Sequence, residues 1–133
     1  MHHNQSKGKT AEILFELLCI DHGWHCCKPI TDFMQYDYII NRGNGFEKIQ
    51  VKTVFFDKNK NKFRCDLRKT KSKSRNKTKY LAGDFDTVAI SVDPNNWILI
   101  PWESVKNSSE ININDKRIKN EHSWHVSIDI EKL

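Results

Sequence analysis

Apolar residues recur at two different periods along this 133-residue chain. Near the N-terminus Ala11, Leu14, Phe15 and Leu18 fall at i, i+3, i+4 and i+7, and Leu17 widens the stripe. That is the period of a helix burying one face, and it predicts a helix over 6–20. Ser6 or Thr10 is placed to cap its start, and Gly23 stands where helices commonly stop. From Trp24 onward the period falls to two or disappears. Trp24 to Ile30 reads as an extended segment closed by Lys28-Pro29. Tyr36-Asp37-Tyr38-Ile39-Ile40 and Phe46-Glu47-Lys48-Ile49-Gln50-Val51-Lys52 flank an Asn41-Arg42-Gly43-Asn44-Gly45 cluster. β-Branched and aromatic arms around an Asn/Gly turn predict a hairpin, its second strand running on through Phe56. Residues 57–61 form a turn, and Lys62 to Arg68 alternates like a half-exposed strand. Residues 69–79 are polar and basic without periodicity, so they read as loop. Asp86 to Val92 reads as a buried strand, 93–96 as a turn, and Trp97 to Ile100 as its return. Pro101 opens a short helix to Val105, and His125 to Ile130 reads as the last strand. Helix, strands, basic insertion, strands describes an α/β (α+β) fold with a mixed central β-sheet.

Composition narrows this to one domain, 1–133, with a core over about 6–105, a basic insertion at about 57–79 and a C-terminal tail at 106–133. Charged residues make up 29%, yet four Trp and seven Phe supply material for a packed core. No run approaches the roughly 20 apolar residues of a membrane helix, and the first residues lack a signal-peptide core. The expected location is the cytoplasm, of a bacterium or a phage-infected cell, with no membrane partner. Cys19, Cys26, Cys27 and Cys65 show no CxxC spacing and read as reduced, packed thiols.

The net charge of +5 matters less than its distribution. Lys58, Lys60, Lys62, Arg64, Arg68, Lys69, Lys71, Lys73, Arg75, Lys77 and Lys79 are 11 of the 22 basic residues, with only Asp66 among them. A solvated loop is the plain explanation. However, such a concentration of cations stores repulsion that a polyanion relieves, with release of condensed counterions, and it marks these residues as candidate DNA contacts.

The hairpin carries the candidate chemistry. If residues 42–45 form the loop, Asn41 pairs with Phe46, and counting outward sets Asp37 opposite Gln50. Alternation then points Gln50 and Lys52 one way and Val51 the other. An acid, an amide oxygen and an ammonium share one patch. Phosphodiester hydrolysis needs an activated water, charge neutralisation at phosphorus and stabilisation of the leaving oxygen. Asp37 is placed as the main metal carboxylate and Gln50 as a neutral oxygen ligand, a set that suits Mg²⁺ with its retained waters. Lys52 is placed to orient the attacking water. Glu12 completes the site if the helix packs beside the hairpin, and Glu16, one turn further on, is its rival. Q-x-K alone describes any exposed strand; the helical Glu and the hairpin Asp together make the pattern specific.

Gly8-Lys9-Thr10-Ala11-Glu12, Tyr36-Asp37-Tyr38-Ile39-Ile40 and Ile49-Gln50-Val51-Lys52-Thr53 resemble the PD-(D/E)XK nuclease superfamily, and within it the small intron-associated homing endonucleases. Asp84 to Ile90 and Trp97 to Pro101 are similar to the later strands of that group. The resemblance implies an α/β core and site-specific, metal-dependent cleavage of double-stranded DNA, with Mg²⁺ as cofactor and Mn²⁺ as a substitute. It also implies a homo-oligomer, dimer or tetramer, that brings two sites to one duplex. Glu12, Asp37, Gln50 and Lys52 take the catalytic positions, the first three as metal ligands. Gln50 departs from the Asp or Glu of the superfamily motif but is similar to the intron-associated branch. A junction resolvase or repair nuclease, and a DNA-binding protein without catalysis, are the alternatives.

Two further patterns compete. His22-Gly23-Trp24-His25 and His122-Ser123-Trp124-His125 share H-x-W-H, a possible Zn²⁺ pair, but Gly23 breaks the first and turns its histidines apart. Trp97, Trp102 and Trp124 are candidates for base stacking or, given their apolar neighbours, core anchors.

Overall fold

The computed structural model describes residues 3–70 and 76–132. Helix α1 covers His3–His22, so Ser6 and Thr10 lie inside it instead of capping it. Its end matches the expectation. Gly23 takes φ +70°, its amide donates to the Ile20 carbonyl (3.2 Å), and the Trp24 amide donates to the Cys19 carbonyl (2.9 Å). These are the two bonds of a Schellman motif, which needs a left-handed residue that glycine supplies at little cost. Ala11, Phe15, Leu18 and Cys19 form the buried stripe.

β1 (His25–Cys27), β2 (Tyr38–Asn41) and β3 (Phe46–Thr53) follow. β2 and β3 pair with Asn41 opposite Phe46 and Tyr38 opposite Ile49, the expected register. The second arm does not run on to Phe56. Val54 turns into the core, Lys7 Nζ takes its carbonyl (2.9 Å), and β4 (Phe55–Asp57) leaves to pair with β5 (Lys62–Asp66). The loop expected at 69–79 is corrected at its two ends, residues 71–75 lying outside the described residues. β6 (Arg68–Thr70) and β7 (Lys77–Lys79) pair as an antiparallel ribbon, Arg68 opposite Lys79. Ion pairs to Asp66 and Asp84 brace it, so apolar periodicity was never needed.

β8 (Thr87–Asp93), β9 (Asn96–Pro101), α2 (Trp102–Val105), β10 (Glu110–Asn112) and β11 (Ser123–His125) complete the elements used here. The last strand therefore covers 123–125, not 125–130. Beyond it, side chains satisfy the backbone: Asn95 Nδ2 donates to the Val126 and Ile128 carbonyls (3.3 and 3.4 Å), and the Ser127 amide donates to Asp21 (2.7 Å).

The main sheet runs β1-β2-β3-β8-β9-β11, with β3 and β8 parallel and the other neighbours antiparallel. A smaller sheet, β10-β5-β4, lies against it. β8 and β9 are buried on both faces, which is why they read as continuous apolar runs, whereas β3 alternates. Ala89, Trp97 and Leu99 pack with Phe15 and Leu18 of α1, while Val88, Ile90, Ile98 and Ile100 pack with Cys65, Leu67, Tyr80 and Ile111. The fold is a mixed α+β architecture around a curled sheet. The curl brings its two margins together: the ring of Trp24, just before β1, lies 4.7 Å from that of Trp124 in β11 at 82°. His22, at the end of α1, stacks on Trp24 at 5.1 Å, and the Arg42 guanidinium sits over both indoles at 5.4 and 5.6 Å.

Candidate active site

Ile49 and Val51 of β3 belong to the core beneath α1, so Gln50 and Lys52 project from the opposite face, where Lys52 reaches β6. Asp37 extends the hairpin ladder by one residue. Its amide donates to the Ile49 carbonyl (2.8 Å), and its Oδ2 accepts from the Val51 amide (2.7 Å). Burial pushes the Asp37 carboxyl above its usual range; the Val51 amide and the Lys52 and Lys9 charges counter this only in part.

Lys52 suffers the opposite effect of the same burial, which pulls its ammonium below the ordinary lysine range against the pull of Cys65, Asp66 and Asp37. Its Nζ donates to the Arg68 carbonyl (2.9 Å) and lies 5.1 Å from the centre of the Tyr80 ring. Among the described residues the half-buried Gln50 makes one long hydrogen bond, Nε2 donating to the Val51 carbonyl at 3.4 Å. Its amide oxygen accepts no hydrogen bond among the described residues.

Of the two helical acids, Glu12 is the one that responds to Asp37. Burial raises its carboxyl first, and the Asp37 charge raises it further. Glu16 is engaged elsewhere: Tyr38 Oη donates to its Oε2 (2.6 Å) and Lys28 Nζ pairs with the same oxygen (2.9 Å). Burial raises Glu16 as well, but these two bonds outweigh it and hold the carboxyl low. The Tyr38 hydroxyl also reaches the Glu12 carbonyl (3.0 Å), tying this turn of α1 to the hairpin.

Among the described residues no three His, Cys, Asp or Glu side chains converge as a metal cluster. The Glu12 carboxylate lies within electrostatic reach of the Asp37 carboxylate, and Gln50 offers an amide oxygen one residue from Val51, whose amide holds Asp37. Two acids held above their usual range by burial, one of them raised further by the other, are relieved by a hard cation. Mg²⁺ is held by one or two carboxylates and keeps several waters, so this donor set fits such an ion.

The basic residues divide. Lys58, Lys60 and Lys62 are exposed around the β4–β5 turn, and Lys79 is exposed on β7. Arg64 is bonded to Glu110 and only 14% exposed. Arg68 and Lys77 both pair with Asp66, at 3.1 and 2.5 Å, and Lys69 pairs with Asp84 at 3.2 Å. Lys71, Lys73 and Arg75 lie outside the described residues. Sequence reasoning gave no role to Lys9, whose charge acts on both Glu12 and Asp37, nor to Tyr80, which faces Lys52. Lys9 stands inside the motif segment before Glu12, whereas Tyr80 carries no signal of period or motif. The two H-x-W-H segments meet through their indoles, and His22 Nε2 lies 2.9 Å from the His125 carbonyl oxygen. Trp97 is buried, Trp102 packs edge-on to Phe85 at 5.3 Å, and Trp124 joins the seam with Trp24. Cys19 and Cys65 are buried, Cys26 is half-buried and Cys27 is exposed, all four as free thiols.

A helical acid and a hairpin acid beside an amide and a lysine, on a curled mixed sheet, form an arrangement of the nuclease kind. The fold is similar to that of a bacterial homing endonuclease, I-Ssp6803I, with a TM-score of 0.73 over 86% of this chain and 80% of that one, at 24% identity. The sequence matches the PD-(D/E)XK endonuclease family over residues 2–129, and the chain belongs to that family. None of the curated proteins matches it.

Proposed function

We propose that this chain is a divalent-metal-dependent endonuclease that cuts double-stranded DNA at a specific site, of the intron-homing kind, and that it works as a homo-oligomer. The observation that carries the reading is that the Val51 amide holds the Asp37 carboxylate against the strand that presents Gln50 and Lys52, with Glu12 of α1 near enough for the Asp37 charge to raise its carboxyl. Glu12, Asp37 and Gln50 hold the cation, Mg²⁺ or Mn²⁺. When bound, it supplies Lewis-acid charge at the phosphoryl group and a more acidic water.

The chain's own groups do the rest. Asp37 is locked by the Val51 amide, so its second oxygen is pre-aimed. Lys52 orients the attacking water and opposes negative charge developing on the phosphate, and its burial makes that charge act through a low dielectric. Gln50 adds an oxygen without a charge, leaving the anionic character of the site to the two acids. The exposed lysines of the β4–β5 turn and the β6–β7 ribbon track the DNA backbone. One chain offers one candidate site, and cutting both strands takes at least two. The Gln50 variant and the fold shared with a homing endonuclease support homing over other activities.

The test is incubation of the purified protein with randomised linear duplexes and a four-way junction in Mg²⁺, Mn²⁺ or EDTA. The expected result is cutting at one linear sequence in either metal and none in EDTA. Tight binding without cutting in both metals removes the enzyme reading. Preference for the junction replaces homing with junction resolution.

A further inference from the structure

A cleft of about 300 Å³ opens next to Lys52. Its lining includes Lys7 from α1, Phe55 from β4, Asp66 from the end of β5, and Arg68 and Lys77 from the ribbon. Four cations and one acid around a concave space make a strongly anion-attracting surface.

The single acid already occupies two of those cations. Asp66 Oδ1 accepts from the Arg68 amide (2.9 Å) and Nε (3.1 Å), and Oδ2 accepts from Arg68 Nη2 (3.2 Å) and Lys77 Nζ (2.5 Å). A guanidinium fork plus an ammonium is also what a pair of phosphodiester oxygens accepts from. Lys7, on the facing wall, donates only to the neutral Val54 carbonyl (2.9 Å), and no acid lies within ion-pair distance of it among the described residues.

We propose that this cleft is a second phosphate subsite, taking the phosphodiester beside the scissile one on the same strand, and that the Asp66 carboxylate holds its ribbon cations in the free protein until the DNA backbone displaces it. The inference rests on the nuclease reading and adds Lys7 to the contacts. It also gives Asp66 a role in discrimination. Any backbone that docks there must first break the Asp66 pairs, so a loosely placed duplex gains less than one held in register.

The experiment is equilibrium binding of the full chain to a short duplex of arbitrary sequence in EDTA, over about 50–200 mM salt. Lys7→Ala and Lys77→Ala are each expected to flatten the slope of log K against log salt by about one, the contribution of one phosphate contact. Asp66→Asn keeps the Oδ1 acceptor for the Arg68 amide and is expected to steepen the slope by about one and tighten binding several-fold. An unchanged slope in Lys7→Ala overturns the subsite, and an unchanged or shallower slope in Asp66→Asn overturns the displaced carboxylate. If Asp66→Asn fails to fold, Lys7→Ala and Lys77→Ala still decide the subsite. A wild-type chain that binds no duplex removes the nuclease reading as well. One that binds with a slope none of the variants changes removes this inference alone.

Discussion

Asp37 and Asp66 lie close to the same lysine, yet burial and pairing move them in opposite directions. The Asp37 carboxyl is raised from 3.8, so the folded chain holds that proton more tightly than the unfolded one. Its contribution to stability is therefore present at acid pH and lost as pH rises through the raised value. Asp37→Asn removes that loss. It is expected to melt a few degrees higher than wild type at pH 7, with the gap closing below pH 3.8, while cleavage is abolished; melting curves across that range check it. Asp66 is held down to about 2, chiefly by Arg68 and Lys77 against burial. Its stabilisation is complete above the ordinary 3.8 and disappears as pH falls through about 2. Asp66→Asn is thus expected to melt a few degrees lower at pH 7, with the gap closing as pH falls below about 2. Lys52→Ala separates chemistry from contact. Cleavage is expected to vanish while duplex affinity stays within a few-fold, because one ammonium adds little to an interface of many phosphates. A collapse of binding in a gel-shift titration makes Lys52 a DNA contact instead.

Elements held by local bonds were readable in the sequence, and elements held by distant partners were not. Gly23 announces the end of α1 because a left-handed residue is required there. Gly23→Ala meets no neighbour within 4 Å, so its expected cost of about 1 kcal/mol is conformational, measurable by urea denaturation. The hairpin register followed from the turn, since the loop at 42–45 sets every later pair. The β6–β7 ribbon was missed because Asp84 lies 15 residues from Lys69 and its ion pair leaves no apolar trace. The break at Val54 was missed because a lysine of α1, 47 residues away, supplies the bond that ends the strand. The segment after His125 kept apolar alternation but found side-chain partners in place of a strand.

The closure of the sheet decides how these parts meet. Trp24 and Trp124 stand at opposite margins, and their contact, with His22 and Arg42 against it, fixes the end of α1 relative to both. The seam thus holds one end of the helix that carries Glu12, whose own turn the Tyr38 hydroxyl ties to the hairpin. Trp124→Ala is expected to cost about 2–4 kcal/mol, below or within the range for a buried aromatic, and to reduce cleavage more than DNA binding. Denaturant melts and the two activity assays measure each part. Equal loss in both assays means the seam stabilises the fold without positioning the acid.

The register that sets Asp37 against β3, and Gln50 with Lys52 on one face of it, was legible because strand alternation and a short turn leave a chain little freedom over 16 residues. The same local rules marked the α1 stripe, the two-sided strands β8 and β9, and the concentration of basic charge. The choice between Glu12 and Glu16 was not legible. Both are helical acids one turn apart, and what separates them is Tyr38 and Lys28 binding one of them while Asp37 lies near the other. Nor did sequence show that Arg64, Arg68, Lys69 and Lys77 are met by acids from β5, β10 and the segment before β8, or that Lys7 faces the ribbon across a cleft. Period and turn chemistry act over a few residues, whereas charge pairing and burial act between any residues the packed sheet brings together.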